Sequence, residues 1–100
     1  MTVLPGTLAH RAYDQEHVEE QFSCNYGVNP GYRNEIETGE LRVAGTDKDG
    51  ELRIIELDRH RFFVATLFVP QVSSSPERPH PLISAFLGAA LAFQAVRLAR

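Results

Sequence analysis

The fold depends on one stretch, Phe62-Phe63-Val64-Ala65-Thr66-Leu67-Phe68-Val69, in which apolar and β-favouring residues follow one another without alternation. Such a run is typical of a strand covered on both faces, so we expect it inside a sheet and not at an edge. Pro70 lacks a backbone donor and ends the pairing. The polar loop over residues 71–80 that follows is of the kind that often carries functional sites.

A C-terminal helix is predicted from Pro81 to about Ala99. Proline fits the first helical position, and a single broad face is apolar, formed by Leu82, Ile83, Phe86, Leu87, Ala90, Leu91, Phe93 and Leu98. We expect this face to pack on the chain's own sheet. Docking of a partner protein is the alternative.

A hairpin precedes the central stretch. Two apolar segments, 41–46 and 52–57, flank Asp47-Lys48-Asp49-Gly50, and an Asp-Gly pair favours the backbone angles of a tight turn. Residues 62–68 then supply the third strand of an antiparallel meander. The Asp-x-Asp-Gly string departs from a calcium loop in the position of its glycine and in its final ligand, so we expect no calcium site.

The segment before residue 21 has weaker signals. Residues 2–4 form a short strand or an irregular lead-in, because Pro5 and Gly6 interrupt them at once. We expect residues 7–13 to resume as a strand, and the acidic residues 14–20 to form a loop or a single exposed helical turn.

Residues 22–26 alternate, which predicts a strand with Phe22, Cys24 and Tyr26 on one face. Asn29 then reads as a helix N-cap followed by Pro30 at the first helical position, with the helix ending before Gly39.

Cys24 is the candidate reactive thiol of this chain. It could act as a nucleophile or redox group, but a lone cysteine on an apolar strand face is more often a small core residue. The histidines offer no metal-binding spacing: His10 and His17 are separated from His60 and His80, so we expect ordinary surface histidines and no metal site.

Composition sets further bounds. The chain has 100 residues and a formal net charge of −3, which fits one small soluble domain and gives no basic footprint for nucleic acid. One cysteine cannot form an internal disulfide, and the first eight residues lack the features of a secretion signal. We expect no window to approach the length of a membrane span, so we predict a cytoplasmic protein that contacts no membrane.

The central stretch also carries a family resemblance. Residues 63–71, followed by Ser73-Ser74-Ser75-Pro76 and His80-Pro81-Leu82, resemble the end of the class I glutamine amidotransferase domain of CTP synthase, in which the strand ends in Phe-His-Pro-Glu. The resemblance continues upstream through residues 41–57 to Tyr26-Gly27-Val28-Asn29 and is clearest over residues 22–96. It implies that residues 1–100 form a partial domain, the C-terminal portion of a flavodoxin-like α/β fold.

The departures from that family concern its chemistry. The positions of the family's catalytic His and Glu are Val69 and Gln71, and an arginine associated with holding glutamine falls at Asn25. Valine cannot accept the proton of a cysteine nucleophile, and a neutral amide cannot offset an imidazolium charge. The Gly-x-Cys-x-Gly elbow of the family is absent, and nothing resembles a phosphate-binding loop.

Two functions follow from the resemblance. In the first, the chain is a non-catalytic amidotransferase-like segment, with no catalytic residue and no cofactor. In the second, it is part of a glutamine-hydrolysing CTP synthase, a pyrimidine-biosynthesis ligase that converts UTP to CTP, and its catalytic parts lie outside this chain. Because the parallel strands that would cover residues 62–69 are missing, we expect partners: a homo-oligomer or an upstream amidotransferase or synthetase part.

Overall fold

The computed structural model describes residues 1–23 and 25–99. Within them, four strands form one antiparallel sheet in the order β1-β2-β3-β4, accompanied by three α-helices. The strands are β1 (Thr2–Val3), β2 (Leu41–Thr46), β3 (Leu52–Leu57) and β4 (Val64–Thr66), and the helices are α1 (Leu8–Tyr13), α2 (Pro30–Thr38) and α3 (Pro81–Leu98). A 3₁₀ helix covers Pro70–Ser73. The predicted α/β class, with an antiparallel meander and a C-terminal helix, is confirmed.

The β2–β3 hairpin forms where it was predicted. The Asp47 carboxylate accepts hydrogen bonds from the backbone N–H groups of Asp49 (2.9 Å) and Glu51 (3.0 Å), and Gly50 has a φ of +78°. Only glycine takes that angle without steric cost. Asp47 also pairs with Arg53 at 3.1 Å, so this carboxylate stabilises the turn from three directions.

A bulge in the hairpin brings β2 close to the core. The register between β2 and β3 shifts on both sides of Gly45, and a Cβ added there would lie 2.9 Å from two side-chain carbons of Ile54. Ile54 is fully buried. Glycine is therefore required at this position by close approach of the side chain opposite.

The expectation that the central stretch lies inside the sheet is wrong for the described residues. Pairing to β3 is confirmed, with Ile55 opposite Ala65, but only three residues form β4, and β4 is an edge strand. Phe63 is 43% exposed. A continuous apolar run indicates that both faces of a strand can be buried. In the described part of the chain, no strand covers the outer edge of β4, and the face that carries Phe63 and Ala65 is exposed.

The N-terminal half departs from two predictions. Residues 7–13 form a cap and helix α1 instead of a strand, since the Thr7 hydroxyl accepts from the N–H of His10 at 3.0 Å. The predicted strand over residues 22–26 is also wrong for the residues that are described: they form no strand, and Tyr26 is 87% exposed. Phe22 packs edge-on against Phe68 instead, at 5.9 Å between ring centroids.

Helix α2 begins and ends where the sequence predicts. The Asn29 side chain accepts a hydrogen bond from the N–H of Gly31 at 2.9 Å, Pro30 occupies the first turn, and Gly39 is the C-terminal cap.

The core lies where α1, the sheet and the first turn of α3 meet, and its buried apolar members are Val3, Ala9, Tyr13, Ala44, Ile54, Phe68 and Leu82. Leu82, 5% exposed, is the only buried residue in the described part of α3. The expectation that the apolar face of α3 packs along the sheet is therefore wrong beyond its first turns: Leu87 and Leu91 are 54% and 66% exposed.

The same helix corrects the expectation on membrane spans. By length and composition alone, α3 could cross a membrane, with a mean hydropathy of 1.5 over 18 residues and 6% of that window buried. It contains one charged residue, Arg97. A single such helix is weak evidence for a membrane segment, because apolar helices of soluble proteins pass the same test.

Candidate functional site

Three polar side chains meet beside the core, and we call them the Tyr13–Glu20–His80 cluster. The Tyr13 hydroxyl donates to Glu20 Oε1 at 2.9 Å, and His80 Nε2 lies 2.5 Å from the same oxygen. The imidazole and carboxylate side chains are only 3% and 5% exposed. Two titratable side chains are thus almost completely buried beside α1.

Each member of the cluster is positioned by a different segment. Tyr13 is the last residue of α1, and Asp14 after it adopts a left-handed backbone (φ +56°) that ends the helix. The following loop is held by the N-terminus, since Val3 N–H donates to Glu16 C=O (2.7 Å) and Val18 N–H to Met1 C=O (3.0 Å). That anchoring places Glu20 beneath the N-terminus of α3.

His80 is the N-cap of α3. Its Nδ1 accepts a hydrogen bond from the backbone N–H of Leu82 at 3.1 Å. The backbone N–H of His80 donates to Ser74 Oγ at 2.9 Å. Because Nδ1 is an acceptor, the neutral imidazole carries its proton on Nε2, and this N–H donates a hydrogen bond to Glu20. The hydrogen-bond partners thus fix the tautomer.

A histidine beside a carboxylate is the pattern of acid–base catalysis, but this pair is arranged differently. In a catalytic pair the carboxylate holds one ring nitrogen and the other faces the reacting group. In His80 both nitrogens are engaged within the protein. Burial, followed by the hydrogen bond and the charge of Glu20, raises the pKa of Tyr13 well above its ordinary value, so Tyr13 remains a neutral donor. The cluster ties the loop to two helices.

A polar cleft of about 460 Å³ opens beside the cluster. Besides the cluster itself, its wall includes Gln15, His17, Glu19, Ser73 and Arg78. Both signs of charge are present, so electrostatics selects neither anions nor cations. The cleft offers hydrogen-bonding groups, among them the exposed side chains of His17 and Glu19.

Glu56 forms a second buried polar cluster. It is fully buried, yet Oε1 accepts from the N–H of Leu8 (2.9 Å) and from Arg42 (2.7 Å), and Oε2 accepts from the N–H of Ala9 (3.2 Å). The Thr7 hydroxyl accepts from the N–H of His10, so the first three N–H groups of α1 all have side-chain acceptors. Glu56 is therefore a structural carboxylate that joins β3, β2 and α1.

The residues singled out from the sequence do not converge on a site. Val69 is 40% exposed and caps the 3₁₀ helix, while Gln71 lies within that helix and is exposed. Cys24 lies outside the described residues. Asn25 is exposed. The side chains of Val69 and Gln71 have no group that takes up or releases a proton near neutral pH.

The histidines differ in their exposure to solvent. His17 is exposed and pairs with Thr2 beside β1, as a surface residue would, whereas His80 is buried, so the expectation of ordinary surface histidines is wrong for His80. In the part of the chain that the structure describes, no group of three His, Cys, Asp or Glu side chains is arranged to hold a metal ion.

Sequence signals for the two buried clusters existed but were local and weak. Glu56 occupies a position on β3 where alternation with Leu52 and Ile54 calls for an apolar side chain, and a charge in such a place indicates a buried partner. His80 stands directly before Pro81, which is where an N-cap belongs. Nothing local connects either residue with Tyr13 or Glu20.

Comparison with known proteins gives a consistent result. The chain is 46% identical over 96 residues to CTP synthase of Pelotomaculum thermopropionicum, and 46% identical over 90 residues to CTP synthase of Carboxydothermus hydrogenoformans. CTP synthase of Rubrobacter xylanophilus is 46% identical over 88 residues. These matches cover 95%, 89% and 87% of this chain but 18%, 17% and 16% of the three relatives. No protein-family model matches the chain.

Proposed function

We propose that this chain, which is related to the C-terminal part of CTP synthase as its sequence predicts, is an amidotransferase-like segment that does not hydrolyse glutamine by itself. It would serve as a binding or regulatory module and hold no cofactor. A cytoplasmic location is part of the proposal.

The observation that carries the proposal is the side chain at position 69. A glutamine-hydrolysing site of this family needs an imidazole there to take the thiol proton of a cysteine, and an oriented carboxylate two residues later. Val69 and Gln71 stand at those places, on either side of Pro70. Neither can hold or move a proton.

The other histidine of this region does not replace the missing base. His80 is buried and both of its ring nitrogens are engaged, by Glu20 and by the N–H of Leu82. Releasing Nδ1 would remove the cap of α3, and releasing Nε2 would leave a buried carboxylate short of a donor. Its geometry supports a structural role.

A second function is favoured by a different observation. The exposed apolar surface of α3 and the open edge of β4 are unusual for a domain that is complete in itself. They suit a segment of a larger glutamine-hydrolysing CTP synthase, in which a further amidotransferase or synthetase part supplies the nucleophile and covers this surface. An in-frame coding sequence upstream of Met1 containing Gly-x-Cys-x-Gly would favour this second function.

The test is ammonia release from glutamine, measured with the natural chain and with the double variant Val69→His/Gln71→Glu. The double variant restores the family's His-Pro-Glu spacing but supplies no nucleophile elbow or oxyanion hole. Loss of one member of a catalytic unit costs about 10⁴-fold or more, so both proteins should remain at background.

Cys24 provides the control for that experiment, because it is the only thiol in the chain. Ammonia release by the double variant that disappears on adding Cys24→Ala would contradict the proposal. It would identify Cys24 as a nucleophile within reach of position 69.

A further inference from the structure

On its outer side, strand β4 has backbone N–H and C=O groups that face no described strand. Phe63 C=O accepts from Leu57 N–H at 3.2 Å, and Leu67 N–H donates to Arg53 C=O at 2.9 Å. The backbone N–H and C=O groups of the odd-numbered residues in this segment therefore point toward β3. By the alternation of an antiparallel ladder, the backbone groups of Val64 and Thr66 point to the opposite side. No described strand pairs with them there.

This edge also lacks the features that usually prevent strand addition. Proteins protect edges with charged side chains, prolines or a covering segment. Between Arg61 and Pro70 the chain carries no charge and no proline. The other edge of the sheet differs, because β1 has only two residues and Thr2 is bridged by His17.

Apolar surface lies directly beside the free edge. An open cleft of about 310 Å³ separates β4 from α3 and is lined by Phe62, Phe63, Val64, Thr66, Pro70, Leu82, Ile83 and Phe86. Phe62 and Phe86 meet edge-on at 5.8 Å, and Arg61 lies over Phe93 at 4.2 Å, so the helix runs along this side of the molecule. Edge and helix form one continuous surface.

We propose that this surface binds a second copy of the same chain, with β4 pairing antiparallel to β4 of the other copy across a two-fold axis. Val64 then pairs with Thr66 of the second copy, and Thr66 with its Val64, which makes four backbone hydrogen bonds in all. Ala65 faces its own counterpart at the axis. The two α3 helices approach each other on the same face of the joined sheet.

Self-complementarity favours a second copy over another occupant. At the axis the two side chains of a non-hydrogen-bonded pair come closest, and alanine is small enough to allow it. In the same register Arg61 faces Val69 of the other copy, so no like charges meet. The second copy would also cover apolar side chains beside this edge, since Phe63, Phe86 and Leu87 are 43%, 53% and 54% exposed.

The experiment measures self-association of the full chain by sedimentation equilibrium, with variants at the proposed axis. Ala65 is exposed and its side chain lies outside the core, so Ala65→Lys and Ala65→Glu should fold, which circular dichroism checks. Each variant alone places two like charges together and should weaken dimerisation about tenfold or more. An equimolar mixture of the two should restore a dimer. Asn34→Lys, which adds the same charge on exposed α2, is the matched control and should dimerise like the natural chain.

Three results would overturn the proposal. The natural chain could remain monomeric at high micromolar concentration. Ala65→Lys could dimerise as tightly as Asn34→Lys, which would place the contact elsewhere. The mixture of lysine and glutamate variants could fail to restore association although each folds, which would exclude Ala65 from the axis.

Discussion

Removing the Glu56 carboxylate should cost more stability than any other single charge in the described part of the chain. Glu56→Ala leaves the backbone N–H of Ala9 buried and that of Leu8 partly buried, both without the acceptor that now lies within 3.2 Å. Each unsatisfied buried donor costs about 1–3 kcal/mol. Arg42 is 38% exposed at its side chain and can turn to water, so it adds less.

The two donors together cost about 2–6 kcal/mol, and removing one partner of a buried ion pair typically costs about 3–5 kcal/mol, so we expect a loss of about 3–5 kcal/mol. That is a large share of the ~5–15 kcal/mol that stabilises a small domain. Glu56→Gln keeps one oxygen acceptor but turns an amide N–H₂ toward other donors, so we expect an intermediate loss of about 2 kcal/mol. The order of the two variants is therefore part of the prediction.

Urea denaturation followed by far-ultraviolet circular dichroism gives the free energies of unfolding. Glu51→Ala is the matched control, since that side chain is 65% exposed and lies 3.9 Å from Arg53, and its loss should change stability by less than about 0.5 kcal/mol. A Glu56→Ala protein within about 1 kcal/mol of the natural chain would refute the reasoning. It would mean that water replaces the carboxylate at the start of α1.

Three other perturbations have defined outcomes. Gly45→Ala should lower the unfolding free energy by about 1–3 kcal/mol, because its methyl group meets Ile54, and thermal denaturation measures this. Burial alone would raise the pKa of Asp47, but two backbone N–H groups and Arg53 outweigh it and lower that pKa. Stability from Asp47 is thus present above its unfolded pKa and lost as pH falls through the lower folded value, so Asp47→Asn should flatten acid denaturation. Tyr13→Phe should cost about 1 kcal/mol in urea by removing the hydroxyl from its buried carboxylate acceptor.

Sequence reasoning succeeded where the determinant is local. The β2–β3 hairpin follows from the turn chemistry of Asp47 and Gly50, and α2 follows from the Asn29 cap and Pro30. In both cases the residues that make the hydrogen bonds are within four positions of each other. Such signals do not depend on the rest of the fold.

It failed where a distant residue decides. Helix α1 is six residues long and has only the Thr7 cap of its own, whereas two of its free N–H groups bind Glu56, nearly fifty positions away. The apolar run over residues 62–69 predicted a strand covered on both faces, but in the described part of the chain β4 lies at the edge of the sheet, because such a run does not specify which segment would cover it. The sequence around His80 does not predict its burial for the same reason, because its partner Glu20 is 60 residues away.

The composition of the core has a consequence for folding kinetics. Val3 and Leu82 belong to one cluster although 79 positions separate them, whereas the β2–β3 hairpin needs only neighbours and should form on a microsecond timescale. Closing the remaining loops is slower, since their entropy is lost before the long-range contacts form. Before α1 and Leu82 pack against it, the isolated β2–β3 hairpin exposes Ile54 and both of its edges to solvent. Refolding yield should therefore fall as protein concentration rises, even under conditions in which the native chain is stable.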